Sequence, residues 1–456
     1  MARVAGVDSS TQSVKIVVRD SDSGELLAQA SHPHPDGTEV DPQHWLNALY
    51  AIINEVGGLE SLDAISIGGQ QHGLVLLDSE GEVIRPALLW NDTRSASQAA
   101  AINENFPDIH LKTGSQLVAS FTASKVRWVL ENEPENAARI AAIALPHDWL
   151  SWKLSGSSDI SELFTDRSDA SGTGYFNPST NQYISEIVQW VSGKSDVILP
   201  RIVAPGEVAV KVGKTTIACG AGDNAGAALG IGAQVGDLVI SLGTSGTAFA
   251  VSSTPTHDSS GEVAGFADAS GNYLPLACTL NAAKVFDSTA KLLGVDFEKY
   301  SQLALQAIPG AEGLMMLPHF DGERTPNRPD AEGAILGITH SNFTAENIAR
   351  ASIEGVIAGL AYAAQALRKE NVEISRVLLV GGAARNEAVQ RITSEIFSLP
   401  IHIPTPGEYV SEGAAVQAAW SFHGHRPQWS QSVMKEVSAA PQPAVLTRYL
   451  AAISAI

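Results

Sequence analysis

Asp223 lies in Cys219-Gly220-Ala221-Gly222-Asp223-Asn224-Ala225-Gly226, between a β-branched run and a run of small residues. Thr215–Ala218 predicts a short buried strand, and Ala225–Gly232 predicts a tightly packed helix. A carboxylate at such a junction sits where backbone is exposed. Gly220 and Gly222 leave a ligand room to approach it. A carboxylate so placed can take the proton of a weakly nucleophilic hydroxyl. The same pattern also suits an N-cap in a glycine-rich turn, so this stretch alone leaves both readings open.

A second carboxylate, Asp8, opens the turn Asp8-Ser9-Ser10-Thr11-Gln12-Ser13 between the predicted strands Arg3–Val7 and Val14–Val18. The residues suit an ordinary polar hairpin turn. They also suit a phosphate loop, with backbone N–H groups and Thr11 toward phosphoryl oxygens and Asp8 toward a metal. A second copy favours the phosphate loop. In Leu238–Val251, Ile240 matches Val7, Ser241 matches Asp8 and Thr244 matches Thr11, with apolar runs on both sides of the turn. Two such units at the starts of two halves indicate an internal duplication. Only the first copy keeps the carboxylate, as one metal serving both loops would require.

Two further polar clusters sit at strand ends. Gly68-Gly69-Gln70-Gln71-His72-Gly73 follows Ala64–Ile67, and Trp90-Asn91-Asp92-Thr93-Arg94 follows Ala87–Leu89. Polar side chains between buried strands need partners, and the hydroxyls of a sugar would serve. An indole beside hydrogen-bonding groups suits a ligand with apolar C–H faces. Arg376–Val380, Gly381-Gly382-Ala383-Ala384-Arg385-Asn386 and the helix predicted from Glu387 form strand, glycine turn and helix, a geometry that lets backbone approach a nucleotide. Helices are also expected at 42–56, 95–105, 122–132, 281–293 and 345–369. Asp159–Gly174 is read mostly as a solvated loop, with Asp166-Arg167-Ser168-Asp169 a candidate wall of the sugar pocket. Gly230–Gly236 is read as a hinge, and the stretch after Gln428 as a tail helix or tether. Gly213-Lys214-Thr215 resembles the end of a P-loop. The glycine spacing is wrong and Thr215 begins a strand, so the motif is rejected.

The 456 residues suit two large domains. At 44% hydrophobic and 17% charged the chain is globular, and its net charge of −20 excludes a general nucleic-acid or membrane-surface binder. Cys219 and Cys278 make neither a disulfide framework nor a zinc site. The chain enters a strand at once without a leader-like segment, and a cytoplasmic protein is expected.

Seven ordered motifs carry a resemblance: the Asp8 turn, Gly69-Gln70-Gln71-His72-Gly73, Leu89-Trp90-Asn91-Asp92, Gly222-Asp223-Asn224, Ser241-Leu242-Gly243-Thr244-Ser245-Gly246, Gly322-Glu323-Arg324-Thr325-Pro326 and Gly381-Gly382-Ala383-Ala384-Arg385. From Val4 to about Trp420 the chain resembles the FGGY carbohydrate kinases. The resemblance implies an α/β fold of two ribonuclease-H-like domains of the actin, hexokinase and Hsp70 type, here placed at 1–235 (sugar and catalytic base) and 236–456 (ATP), with a cleft between them. It implies transfer of the γ-phosphoryl of ATP to the C5 hydroxyl of D-xylulose, with magnesium. Asp223 falls on the family's general base and Asp8 on its metal-side carboxylate. Gln71, His72, Trp90, Asn91, Asp92, Asp223 and Asn224 fall to the sugar. Thr11, Gly243, Thr244, Gly381, Gly382 and Asn386 fall to ATP. The partners implied are a small sugar and ATP, with no nucleic acid and no membrane, and any self-association is expected to be a homodimer. Kinases for ribulose, gluconate or glycerol, a non-catalytic sugar sensor and a filament subunit are the rival readings. The chain departs from the family pattern at Ser10, where relatives carry glycine, at Ala383-Ala384 in the adenosine loop, and at Glu412, where relatives carry an apolar residue.

Overall fold

The computed structural model describes residues 2–429 and 434–455. The chain divides into two compact units. The first comprises Met1–Ala233, Gly265–Leu274 and a stretch beginning at Gly407; the second comprises Gln234–Ala264, Pro275–Pro406 and the C-terminal elements. The chain therefore re-enters the first unit twice after leaving it. Among the described residues no helix is long and apolar enough to cross a membrane. Neither cysteine is in a disulfide.

The first unit is built on a mixed sheet in the order Val208–Val212, Thr215–Ala218, Ala64–Gly69, Arg3–Ser9, Ser13–Asp20 and Leu26–Pro33. Arg3–Ser9 runs antiparallel to Ser13–Asp20 and parallel to Ala64–Gly69, which sets Asp8 opposite both Lys15 and Gly68. Side chains of a strand alternate between faces. Ala5 and Val7 join a core with Trp45, Leu49 and Ile52 of the helix Pro42–Glu55. Val4 joins Ala418 and Ala419 of the helix Tyr409–His423 on the other face. Gly6 and Asp8 follow Val4 to that face. A Cβ on Gly6 would lie 1.9 Å from the Ser411 carbonyl oxygen, so the helix lies directly on the strand backbone.

The helix Asp223–Ile231 packs against Tyr409–His423 equally closely. A Cβ on Gly413 would lie 1.9 Å from the Gly226 carbonyl oxygen, and one on Gly230 would lie 2.1 Å from that of Tyr409. Gly230 is thus locked inside a helix crossing, and Gly232 closes the helix in a left-handed turn. This corrects the reading of Gly230–Gly236 as a hinge in its first half. Glu412, the departure noted above, faces Arg19 at 2.8 Å, and Glu408 faces Lys15 at 2.6 Å.

The second unit repeats the plan. Asp237–Leu242 runs antiparallel to Gly246–Ala250 and parallel to Arg376–Val380, followed outward by Ile401–Pro404 and Met434–Val437. Ser241 pairs with Val380 in the register that Asp8 keeps with Gly68. The helix Ala345–Lys369, capped by Thr344, fills the core over this sheet. The stretch read as a tail contributes the edge strand Met434–Val437 and the helix Pro443–Ala455, whose Tyr449 and Ile453 are buried. The family-motif carboxylate Glu323 accepts from the backbone N–H groups of Leu280 (2.6 Å) and Arg324 (2.8 Å), which makes it a clasp for its own loop.

Candidate active site

Asp223 is the first residue of its helix, and Gly222 occupies the N-cap. The capping alternative is thereby excluded: the carboxylate does not cap the helix. Asn224 donates to Asp223 Oδ1 through its backbone N–H (2.7 Å) and its side-chain amide (2.8 Å). Asn224, assigned to the sugar from sequence, spends its amide on orienting Asp223. Protein packs closely around the carboxyl although the residue is partly exposed, and this burial pushes its pKa up to about 6 against the Asn224 bonds that lower it. At pH 7 it is therefore ionised, as a proton acceptor must be.

Asp8 belongs to the end of the strand Arg3–Ser9 rather than to the loop after it. Ser10 Oγ donates to Asp8 Oδ1 at 2.6 Å, which gives the serine that replaces glycine a role in holding this carboxylate. Burial raises the Asp8 pKa to about 6; Ser10 and Lys15 lower it, while Asp223 and Glu408 raise it. Asp223 thus makes ionisation of Asp8 harder. A buried and a half-buried carboxylate in one field fit a divalent cation, whose charge would favour both ionised forms.

The other residues assigned to the first unit make the following contacts. Trp90, 45% exposed, donates its indole N–H to Thr11 Oγ1 at 2.9 Å. Thr11 and the tryptophan are therefore one feature, not members of separate sites. Asn91 keeps its buried Oδ1 without a partner. Asp92, by contrast, is committed: Thr38 Oγ1 (2.9 Å), Arg94 N–H (3.0 Å) and Arg94 Nε (2.9 Å) all donate to it. Burial alone would raise its pKa, and these bonds outweigh that and hold it low. Gln71 donates to the Ser168 carbonyl at 3.1 Å. His72, at φ 68°, places Nδ1 2.6 Å from the Gly172 carbonyl and packs its ring 4.9 Å from Phe121 and 5.5 Å from Phe266. Backbone strain of this kind persists where surrounding structure enforces it.

Sequence reasoning read three groups here incompletely or not at all. Gln70 is 2% exposed, and both polar atoms of its amide lack a partner. A hydroxylated ligand would satisfy them; the signal was present in the Gln70-Gln71 pair. The second group corrects an expectation. Phe164–Asp166 is a strand, Arg167–Ala170 a short helix, and Asp166 to Gly174 is buried throughout rather than solvated. A polar segment with no apolar period carries no mark of burial. The third group, in the second unit, is the helix Phe297–Gln306.

That helix forms one wall of a cavity of about 710 Å³, within the range of small-molecule sites. Gly243 and Thr244 on the exposed turn after Asp237–Leu242, together with Gly382 and Asn386, line it, and Phe286, Phe297 and Leu305 make its apolar side. A Cβ on Gly382 would meet nothing within 4 Å, so backbone there is open to a ligand. Gly381 turns the chain at φ 96° and does not line the cavity. Asn386 Oδ1 accepts from Ala388 N–H (2.9 Å) and Ser301 Oγ (2.9 Å), so it caps the helix Glu387–Phe397 and ties it to the missed wall. Asp296, which caps Phe297–Gln306 through Lys299 N–H, was the signal for that helix.

Residues 3–236 match the N-terminal domain of the FGGY family of carbohydrate kinases, and residues 238–422 match its C-terminal domain. A xylulose kinase from Streptomyces rubiginosus is 42% identical over 442 residues, covering 93% of this chain and 89% of its own. A xylulose kinase from Escherichia coli is 32% identical over 91% of this chain and 88% of its own. The crystal structure of xylulose kinase from Bifidobacterium adolescentis superposes with a TM-score of 0.95 at 42% identity, covering 99% of both chains.

Proposed function

Because the chain belongs to the FGGY family of carbohydrate kinases, we propose that it phosphorylates D-xylulose at the C5 hydroxyl with ATP, and that it does so in the cytoplasm. The substrate reading is supported by relatives named as xylulose kinases at 42% identity in both sequence and structure. The observation that carries the chemistry is the pair Asp223 and Asp8, both raised to about 6 by burial and still ionised at pH 7.

The step follows from those residues. The first unit binds the sugar, with Gln70 and the Asn91 oxygen offering unpartnered hydrogen-bonding atoms. Asp223, oriented through Oδ1 by Asn224, accepts the proton of the C5 hydroxyl. The oxygen–phosphorus bond forms as the bond from the γ-phosphorus to the bridging oxygen breaks, and the electron pair leaves with ADP. The second unit holds ATP, its glycine-lined turn facing the phosphates and its apolar wall facing the base. Asp8 would hold magnesium, which supplies neutralisation of phosphate charge when bound.

A coupled ADP-release assay over ketoses, aldoses and polyols tests this reading. Turnover with D-xylulose at least ~10-fold above ribulose, gluconate and glycerol in kcat/KM supports it, a margin of ~1.4 kcal/mol in transition-state binding. A preference for one of the others reassigns the substrate. No sugar-dependent ADP release at all would favour a non-catalytic sensor.

A further inference from the structure

His147 is fully buried, and the polar groups against its ring nitrogens are carboxylates. Asp148 Oδ1 lies 3.0 Å from Nδ1, and Asp166 Oδ1 and Asp169 Oδ2 each lie 3.3 Å from Nε2. Only the Nε2–Asp166 pair has hydrogen-bond geometry; Nδ1 has no hydrogen-bond partner. The carboxylates around the ring favour its protonated form. Burial opposes that charge, but Asp169 and Asp148 outweigh it and lift the His147 pKa well above its ordinary range. The ring is wedged beneath the end of the sheet. A Cβ on Gly220 would lie 3.1 Å from its Cε1, and one on Gly69 would lie 3.1 Å from its Cβ.

From this ring a short path leads to the base. Asp166 Oδ1 receives the ring Nε2–H, and its Oδ2 receives Ser168 N–H (2.7 Å) and Ser168 Oγ–H (2.5 Å). Ser168 Oγ in turn accepts the N–H of Gly222 at 3.0 Å, the residue before Asp223. The Ser168 carbonyl accepts from the Gln71 amide at 3.1 Å. We infer that His147, Asp166 and Ser168 form a positioning chain that fixes the Gly222–Asp223 backbone and the Gln71 amide together, so that the base and a sugar contact keep one geometry. This chain rests on the reading of Asp223 as the base. All three members are buried, and each acts through the next.

The same side chains also bring ligand atoms of His147, Asp148 and Asp169 within 4.8 Å of one another. The ring speaks against a cation there. A cation on Nε2 would displace its hydrogen bond to Asp166 Oδ1, an atom outside that group.

The test uses the full chain with both substrates saturating. Ser168→Ala and His147→Leu are each expected to lower kcat by about 10- to 100-fold, the scale of a misplaced reacting group. KM for ATP should stay within about twofold, and the double variant should fall no further than the worse single one. A merely structural role would instead leave kcat near wild type in the folded fraction, or make the two losses multiply, and either result overturns the chain. Nitrogen-15 spectra of the wild-type histidines supply a readout that needs no variant. Both ring nitrogens of His147 should remain protonated at pH 8; a neutral single tautomer, or a stoichiometric metal in the purified protein, overturns the inference. Asp223→Ala separates the two proposals. If it keeps its turnover, the base assignment fails; if it is inactive while Ser168→Ala turns over normally, only the positioning chain fails.

Discussion

Replacing Asp223 with asparagine should make the protein more stable while it removes activity, and the gain should depend on pH in one direction. The Asp223 pKa is raised from 3.8 to about 6, mainly by burial. At about 1.4 kcal/mol per pKa unit, keeping this group ionised costs the folded state at most about 3 kcal/mol at neutral pH. Partial exposure reduces this to about 1–2 kcal/mol. Well below pH 3.8 the acid is neutral in both folded and unfolded chains, so the charge costs nothing. Between about pH 4 and 6 the unfolded chain ionises first and the cost builds; above that it is constant. The substituted amide would keep an oxygen for the two Asn224 donors, so the variant loses the charge and little else. Thermal unfolding of wild type and Asp223→Asn from pH 4 to 8 measures this. The expected difference is smallest at pH 4 and rises to a plateau of a few degrees above pH 6.5, at about 2–4 °C per kcal/mol for a unit of this size. A variant less stable than wild type at pH 7.5, or a difference flat across the range, would refute the claim that burial sets this carboxylate's pKa.

Asp8→Asn should raise the magnesium concentration needed for half-maximal activity by at least ~10-fold, read from a magnesium titration; an unchanged titration removes Asp8 from the metal. In the wild type that requirement should also rise below about pH 6, because protons then compete for Asp8. His72→Ala should chiefly raise KM for the sugar and leave KM for ATP near its starting value, and the reverse pattern would move the sugar pocket elsewhere. Phe297→Ala should raise KM for ATP by about 5- to 20-fold, in line with the loss of ~1–2 kcal/mol of apolar contact, with the sugar KM unaltered. Gly413→Ala should destabilise the first unit by at least ~2 kcal/mol in chemical denaturation, because its Cβ has no room against Gly226; a neutral effect would show that the helix crossing yields.

Much of the scaffold could be read from residue pattern because the pattern was local. The hairpins at Asp8 and Ser241 show short apolar runs on both sides of a polar turn, and spaced apolar residues from Ile348 to Leu367 mark the helix Ala345–Lys369. Asp223 was legible because a β-branched run, glycines and small residues follow one another within a few positions. What stayed hidden depends on distant segments. His147, Asp166 and Ser168 carry no local mark of burial until the fold closes around them, since their partners lie up to 97 residues away. Asn224 and Asp92 read as sugar contacts by type, yet their neighbours Asp223, Arg94 and Thr38 use their polar atoms. The return of Tyr409–His423 to the first unit left only one trace in the sequence, the glycines Gly226, Gly230 and Gly413 that let two helices touch.

The proton-accepting role of Asp223 is tested most directly by kcat of Asp223→Ala with D-xylulose, ATP and magnesium all saturating, beside a circular-dichroism check of folding. Loss of a general base lowers kcat by at least ~10²-fold in a folded variant. Turnover within about threefold of wild type would contradict the account.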